Sequence, residues 1–432
     1  MPPNYDDEID FAALALQDPD FAKVLSSTGK LDFHDAKAVQ QLTKSLLKRD
    51  FGLQIELPDD RLCPPVPVRY NYVRWIESLI DTTGPSYMDK YDPERSIIGI
   101  DIGTGASAIY PLLFCASRPS YRLGATDIDL PSLTSAAKNI SLNDLSSRIR
   151  LLETTSADPL IPLDGLSIEH ADFTICNPPF YSSVEEMQAA FTGEGKSKPP
   201  SAVCTGSENE MVTEGGDVGF VLRMVEESKQ LKEKVQWYSS MLGKLESLRA
   251  VVAKLKEIEV SNWAVCCLRA GAKTRRWAVA WSWGDSRPRN DVARGESLGK
   301  EFLPAATELT IPISAKNVDE IVEKLNKMME SLDLRWLWKV SLKAGLAIAR
   351  ENVWSRAARR KQQRQDADRG ENAKHTKDGD DSDSDEDEKV ALAVKITAEK
   401  EAIQLRWLRG SDYVLFESFA GMLKRTVRET GG

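Results

Sequence analysis

Histidine is scarce in this chain: three in 432 residues, His34, His170 and His375, far apart. A His-based metal centre has no cluster to grow from, and Ser-His-Asp chemistry has few candidates for its base. Cysteine is no better placed. The six cysteines (63, 115, 176, 204, 266 and 267) form no C-x-x-C pair and no spacing of a disulfide framework. Most lie in apolar runs, where a free thiol behaves as a small hydrophobe, which points to a reducing compartment. Long apolar runs are also missing; none approaches the ~20 residues that span a bilayer. The first ten residues, MPPNYDDEID, hold four acids and no base, so they suit neither a signal peptide nor an Arg-rich transit sequence. These absences predict a soluble intracellular protein, with no membrane segment and no metal.

The chain is long enough for two or three domains, and 41% of it is hydrophobic, so a substantial core is available. No internal repeat is visible. Residues 1–95 read as a helical module. Ala36, Val39, Leu42, Leu46 and Leu47 recur at helical spacing, with Asp35 as N-cap and Gly52 at the stop. CPPVPVRYNYVRWIESLI then gives a Pro-rich entry and a second amphipathic helix. From residue 96 the period changes. SIIGIDIG, GATDID, RIRLLET and ADFTICN are short apolar runs alternating with helix-like stretches, which predicts an α/β domain over 96–300 with a parallel sheet covered on both faces. Within it, VGFVLRMVEESKQLKEKVQWYSSMLG reads as one long amphipathic helix, and WAVCCLRA and RRWAVAWSW as a closing antiparallel pair. Residues 181–215 show little periodicity, and GEGKSKPPSAVCTGSENE (193–210) within them reads as a mobile loop. Residues 301–432 are expected to form an α+β accessory domain, interrupted by a nearly apolar-free insert at 356–388 that reads as disordered.

Three motifs carry chemistry. In IIGIDIGTGASAIYPLL (97–113) a buried strand ends in a glycine-rich turn and enters a helix. Gly103 and Gly105 let the backbone approach a ligand without a Cβ in the way. In ATDID (125–129) an acid ends the next strand. Asp127 is spaced to accept both hydroxyls of a ribose, whereas Asp129 suits a helix N-cap better. This pair does not separate a nicotinamide cofactor from S-adenosylmethionine. The third motif, ADFTICNPPF (171–180), puts Asn177, Pro178, Pro179 and Phe180 directly after a strand. Two prolines fix the backbone and leave carbonyls free as acceptors. With the Asn177 carbonyl they offer two acceptors to an exocyclic amino group, and Phe180 can stack on a flat substrate.

In this order, the motifs resemble amino-methyltransferases that use S-adenosylmethionine. Such a tetrapeptide serves adenine N6 or the side-chain amide of glutamine in a protein. RLCPPVPVRYNYVRWIESLI, CNPPFY, TEGGDVGFV, QWYSSMLGK and RRWAVAWSW together are similar to the methyltransferase-like protein sixteen family, over roughly residues 10–285. The resemblance implies a class I, Rossmann-like fold and N6-adenosine methylation of structured RNA, above all U6 small nuclear RNA. Bacterial relatives modify large-subunit ribosomal RNA. It implies that Asn177, Pro178, Pro179 and Phe180 are the catalytic tetrapeptide. Arg69, Asp101, Gly103, Gly105, Asp127 and Asn177 would bind the cofactor. Asp127 departs from a frequent glutamate without changing the chemistry. The segment TTSADPL departs from the family pattern, and Asp158 is its candidate contact. Tyr181 would face the RNA. A nuclear or cytoplasmic monomer is implied. A glutamine-N5 protein methyltransferase and an RNA-binding regulator with incidental catalysis are the alternatives.

RNA needs basic surface, yet the net charge is −9. The sum misleads. Eight acids stand in 378–388 and four in the first ten residues; the remainder is +3. Residues 222–276 hold twelve Lys and Arg against six acids. Lys244, Lys273, Arg275 and Arg276 there, with Lys44, Lys48 and Arg49 near the N-terminus, are the candidate RNA contacts. Deleting 378–388 is therefore expected to tighten nonspecific RNA binding at low salt, measured by filter retention; unchanged or weaker binding would show that the run does not compete with RNA.

Overall fold

The computed structural model describes residues 7–192, 206–270, 274–314, 318–355 and 390–428, with Pro3, Tyr5 and Ala358. Lys273, the acidic run 378–388 and all of the expected insert except Ala358 lie outside these. The chain divides into two compact units: residues 1–81, 88–284 and 291–304, and residues 82–87, 285–290 and 305–432.

The first unit opens with α1 (Phe11–Gln17), α2 (Pro19–Val24), α3 (Ala36–Phe51) and α4 (Val66–Thr82). As the sequence suggests, the Asp35 side chain accepts the Lys37 amide at the start of α3. Gly52 ends it with φ of 67°, a left-handed conformation that suits glycine. Strand and helix then alternate: β1 (Ile97–Ile102), α5 (Ile109–Ser117), β2 (Tyr121–Asp127), α6 (Leu130–Leu142), β3 (Ile149–Glu153), α7 (Leu163–Leu166) and β4 (Ala171–Cys176). After β4 come α8 (Val184–Thr192), α9 (Glu208–Met211), α10 (Gly216–Leu231), β5 (Val235–Leu242), α11 (Leu245–Glu257), β6 (Asn262–Ala270), β7 (Thr274–Ser282) and the single turn α12 (Asn290–Ala293). The seven strands form one sheet in the order β3-β2-β1-β4-β5-β7-β6. Strands β1 to β5 pair in parallel, and β7 runs antiparallel to both β5 and β6. Strand order reverses between β1 and β4, the place where such sheets open a crevice at the carboxyl ends of their strands. The glycine turn follows β1 and the Asn-Pro-Pro-Phe segment follows β4, so the two motifs flank that crevice.

Two sequence expectations need correction. The stretch read as one helix from Val218 to Gly243 is two elements. Helix α10 stops at Leu231; Lys232 takes a positive φ of 48°, and VQWYSSML continues as the buried strand β5. Its Trp, Tyr and Val favour a pleated surface over the helix that the charged run before it supports. The end of the segment 193–210, expected to be loop, forms the turn α9 from Glu208; residues 184–192 before it, which show little periodicity, form α8, with Glu185 and Glu186 in its first turn, where acids favour the helix dipole.

In the second unit, β8 (Glu308–Pro312), α13 (Val318–Glu330), β9 (Arg335–Lys339), β10 (Ala344–Ala349), β11 (Leu392–Ala398), β12 (Ala402–Arg409) and a C-terminal helix (Tyr413–Arg428) make an antiparallel sheet of order β8-β12-β11-β10-β9 with helical cover. Trp407 stacks on Phe416 with ring centroids 5.3 Å apart, among Leu325, Met329, Phe419 and Leu423. The edge strand β9 alternates: Trp336 and Trp338 pack against this core, while Arg335, Leu337 and Lys339 face outward.

The sheet beneath the crevice is packed on a missing side chain. Gly99 on β1 pairs with Phe173 on β4, and a Cβ on Gly99 would stand 2.3 Å from the Phe173 ring. That ring packs in turn on Phe114, centroids 4.6 Å apart, and is fully buried. Gly99→Ala is expected to destabilise the protein by about 1–3 kcal/mol through overpacking, read from urea unfolding, with part of the loss recovered in the Gly99→Ala/Phe173→Leu double variant.

Candidate active site

The backbone of the glycine turn is held open by two positive φ values, 72° at Gly103 and 62° at Gly105. The Thr104 amide donates to the Thr126 carbonyl (2.9 Å) and the Gly105 amide to Asp127 Oδ2 (2.8 Å), so the turn is fastened to the end of β2. A Cβ placed on Gly103 would enter space with no neighbouring atom within 4 Å, the open ground a ligand needs. Asp127 also accepts the Asp129 amide through Oδ1, and Asp129 itself caps α6 by accepting Ser132, as its place before the helix suggests. Burial raises the Asp127 pKa, opposed by those amides.

Asp101, two positions before Gly103, is wholly buried, and among the described residues neither carboxylate oxygen has a hydrogen-bond partner. Burial pushes its pKa up to about 7; the nearby Thr104 hydroxyl, weakly placed for a hydrogen bond, opposes this, the Asp127 charge adds to it, and Arg69 opposes it.

Arg69 is also buried, at 5% exposed, and all its acceptors are neutral. Its Nη1 donates to Asn177 Oδ1 (2.8 Å), to the Tyr110 hydroxyl (3.1 Å) and to Met241 Sδ (3.1 Å). A buried cation and a buried acid, each without an opposite charge bonded to it among the described residues, complement a zwitterion. An amino-acid group has that form, and Asp127 beside it suits a ribose. The residues therefore fit S-adenosylmethionine.

Phe180 is bracketed from three sides. Gly243 follows β5, and a Cβ there would stand 3.0 Å from the Phe180 ring. A Cβ on Gly216, at the start of α10, would stand 3.1 Å from the Phe180 carbonyl. Asp217 ties these elements together, accepting the Gly243 amide (2.8 Å) and the Ser247 hydroxyl (2.9 Å). The Arg276 guanidinium lies 5.7 Å from the ring centroid, and burial and Arg69 lower its pKa. Tyr181 pairs through its backbone with Met211 and Thr213 and packs edge-on against Phe191. Nothing local in the sequence marks Asp217, Gly243, Tyr110 or Met241 as part of the site; for Gly215 and Gly216 the available signal is two successive glycines at a helix start.

Arg69, Asp101, Gly103, Gly105, Asp127 and Asn177 to Phe180 thus surround the carboxyl ends of β1, β2 and β4. Asp158 does not join them through its Oδ2, which turns onto the amide and hydroxyl of Thr155 in its own loop. The basic residues are dispersed. Lys244 pairs with Glu186 (3.0 Å), which the Ser182 hydroxyl and amide and then Lys244 hold down to about 2. Arg49 pairs with Asp50 (2.6 Å), and Lys229 and Lys254 pair with neighbouring acids, so much of the local excess of base is offset on helix faces. Lys44 and Lys48 lie on α3, and Arg275 is exposed on β7.

A sheet of this order, with a glycine turn and an Asn-Pro-Pro-Phe segment on either side of its reversal, defines a class I methyltransferase that acts on an amine. A family model described as RNA methyltransferase matches residues 2–285. The U6 small nuclear RNA (adenine-(43)-N(6))-methyltransferase of Schizosaccharomyces pombe is 36% identical over 403 residues, covering 93% of this chain and 96% of that one. The human Mettl16 catalytic domain in complex with a MAT2A 3′UTR hairpin superposes with a TM-score of 0.56 at 38% identity, over 64% of this chain and 91% of that domain. The N-terminal domain of human METTL16 in complex with SAH gives 0.52 at 36% identity, over 64% and 95%. The chain belongs to this family of RNA methyltransferases. Among the described residues no group of side chains could hold a metal ion, and no helix is long and apolar enough to cross a membrane.

The buried acid generates a pH test. The folded pKa of Asp101 lies above its ordinary value, so the fold holds the proton more tightly and stability falls as pH rises from about 4 to about 7. Asp101→Asn removes that slope. Its stability advantage over wild type is expected to widen by up to about 1.4 kcal/mol per pH unit over this window and to level off above it, measured by urea unfolding of the ligand-free protein.

Proposed function

We propose that this chain transfers the methyl group of S-adenosylmethionine to N6 of an adenosine in structured RNA, with U6 small nuclear RNA as substrate. The observation that carries the reading is Asn177 at the end of β4, its side-chain carbonyl directed by the buried Arg69 and its following prolines fixed beside the glycine turn. The similarity to the fission-yeast U6 enzyme over nearly the whole of both chains supports the substrate.

The bound cofactor supplies an electrophilic methyl group on a sulfonium. Asp127 would take the ribose hydroxyls, and Arg69 the carboxylate. Asn177 Oδ1 has a second lone pair beyond the one Arg69 occupies. With the Pro178 carbonyl it accepts the two hydrogens of the adenine amino group, which directs that nitrogen's lone pair toward the methyl. No general base is required: the proton leaves after transfer, in keeping with a chain that has only three histidines. Phe180, wedged by Gly243, offers a flat apolar surface to a base drawn out of its stack. Leaving the stack costs a few kcal/mol, least in a bulge or loop. Tyr181, Lys44, Lys48, Lys244, Arg275 and Arg276 are assigned to the RNA side, and Lys273 with them, although it lies outside the described residues. Such an enzyme works where its RNA resides, in the nucleus or the cytoplasm.

Purified protein given labelled S-adenosylmethionine and a U6 transcript is expected to yield N6-methyladenosine in the nucleoside digest. Asn177→Ala should lower the rate at least ~100-fold with an unchanged circular-dichroism melt. Absence of N6-methyladenosine from every RNA in a total-RNA assay would overturn the reading.

A further inference from the structure

One carboxylate near the glycine turn has no part in the mechanism above. Glu210, in the segment Gly206–Val212, is the third residue of α9 and forms a capping box with Ser207. Its Oε2 is fully engaged. It accepts the Ser207 amide (2.8 Å), the Ser207 hydroxyl (3.1 Å) and, from 148 positions earlier in the chain, the Leu62 amide (3.0 Å). Gly206 packs beside the same leucine: a Cβ there would stand 3.6 Å from Leu62 Cδ1. The carboxylate is thereby fixed by two segments far apart in sequence. Its other oxygen points elsewhere. Oε1 stands 3.5 Å from the place a Cβ on Gly105 would occupy, over the left-handed turn that leaves the crevice floor bare.

Arg69 and Asp101 are the cation and the acid already assigned to an amino-acid group, and the acid side has room for a second contributor. Arg69 provides the cation for a carboxylate. For the ammonium, Asp101 lies below the turn and is wholly buried, and burial raises the pKa of both Asp101 and Glu210. Glu210 is less deeply placed and has an oxygen to spare.

We propose that Glu210 Oε1 receives the α-ammonium of the bound cofactor's amino-acid end. The inference rests on the reading of this crevice as a site for S-adenosylmethionine. It gives the Leu62 contact a purpose. The same carboxylate that grips the N-terminal segment grips the cofactor, and each orients the other's oxygen.

The test is Glu210→Gln. The amide keeps one carbonyl for the Leu62 and Ser207 donors, so the segment stays fastened, and only the charge on the free end is removed. Binding is measured by titration calorimetry with two nucleosides that share adenine, ribose and sulfur: S-adenosylhomocysteine, which carries the ammonium, and 5′-methylthioadenosine, which lacks the amino-acid end. The expected result is roughly a ten-fold or greater weakening for S-adenosylhomocysteine and no change for 5′-methylthioadenosine, as loss of a charge-assisted hydrogen bond requires. Equal weakening of both would overturn the proposal and make Glu210 a fastener of the loop alone. Unchanged binding of both would overturn it outright. Failure of the wild-type protein to bind S-adenosylhomocysteine would remove the cofactor reading itself, a result distinct from either.

Discussion

A buried guanidinium governs this molecule. Arg69 leaves α4, passes out of reach of solvent, and meets Asn177 from β4, Tyr110 from α5 and Met241 from β5. Desolvating a cation is unfavourable unless something repays it, and three neutral acceptors repay it only in part. The N-terminal helices must therefore pack closely enough to keep those acceptors in place. The segment joining α3 to α4 holds them there through polar fasteners. Asn139 on α6 exchanges hydrogen bonds with the backbone of Glu56, and Asn143 with that of Gln54. Arg61 pairs with Asp129 at 3.1 Å. The helices preceding the sheet thus belong to the same compact unit as the sheet, and they deliver the charge that the strand ends lack.

The rest of the crevice can be understood as accommodation to that charge. Among the described residues Asp101 stays unpaired beneath the turn, with its proton affinity raised by burial. Tyr72 and Ser239 share a hydrogen bond of 2.8 Å, and Ser239 in turn bonds to Thr174, which fixes β5 beside β4 just before the tetrapeptide begins. Glycine appears wherever the loops converge: Gly103 and Gly105 on one side, Gly216 and Gly243 against Phe180 on the other. Each removes a side chain at a point where two segments or a segment and a ligand must meet.

Much of this was legible in the sequence because local chemistry and tertiary role agree there. Asp35 and Gly52 delimit α3 where capping rules put them. The apolar runs before GTG, TDID and NPPF are strands because nothing but a buried parallel sheet absorbs them. Where sequence reading failed, two signals competed. Charged residues at helical spacing in α10 run straight into VQWYSSML, and periodicity alone does not show where one element yields to the other; the positive φ at Lys232 does. Asp217, Tyr110 and Met241 were not identified, since each acts through a partner distant in the chain. Local sequence does not record such partners.

The outer strand β9 has a consequence for how copies of this chain meet. It is an edge of the five-stranded sheet, with Arg335, Leu337 and Lys339 on its outward face and the tryptophans turned in. If two copies joined edge to edge in antiparallel fashion about Leu337, Arg335 of each would stand opposite Lys339 of the other. Exposed strand edges are templates for runaway pairing, and a like charge directly across the ladder opposes it. The order of five residues, R-W-L-W-K, thus lets the strand keep an apolar centre while discouraging its own kind from extending the sheet.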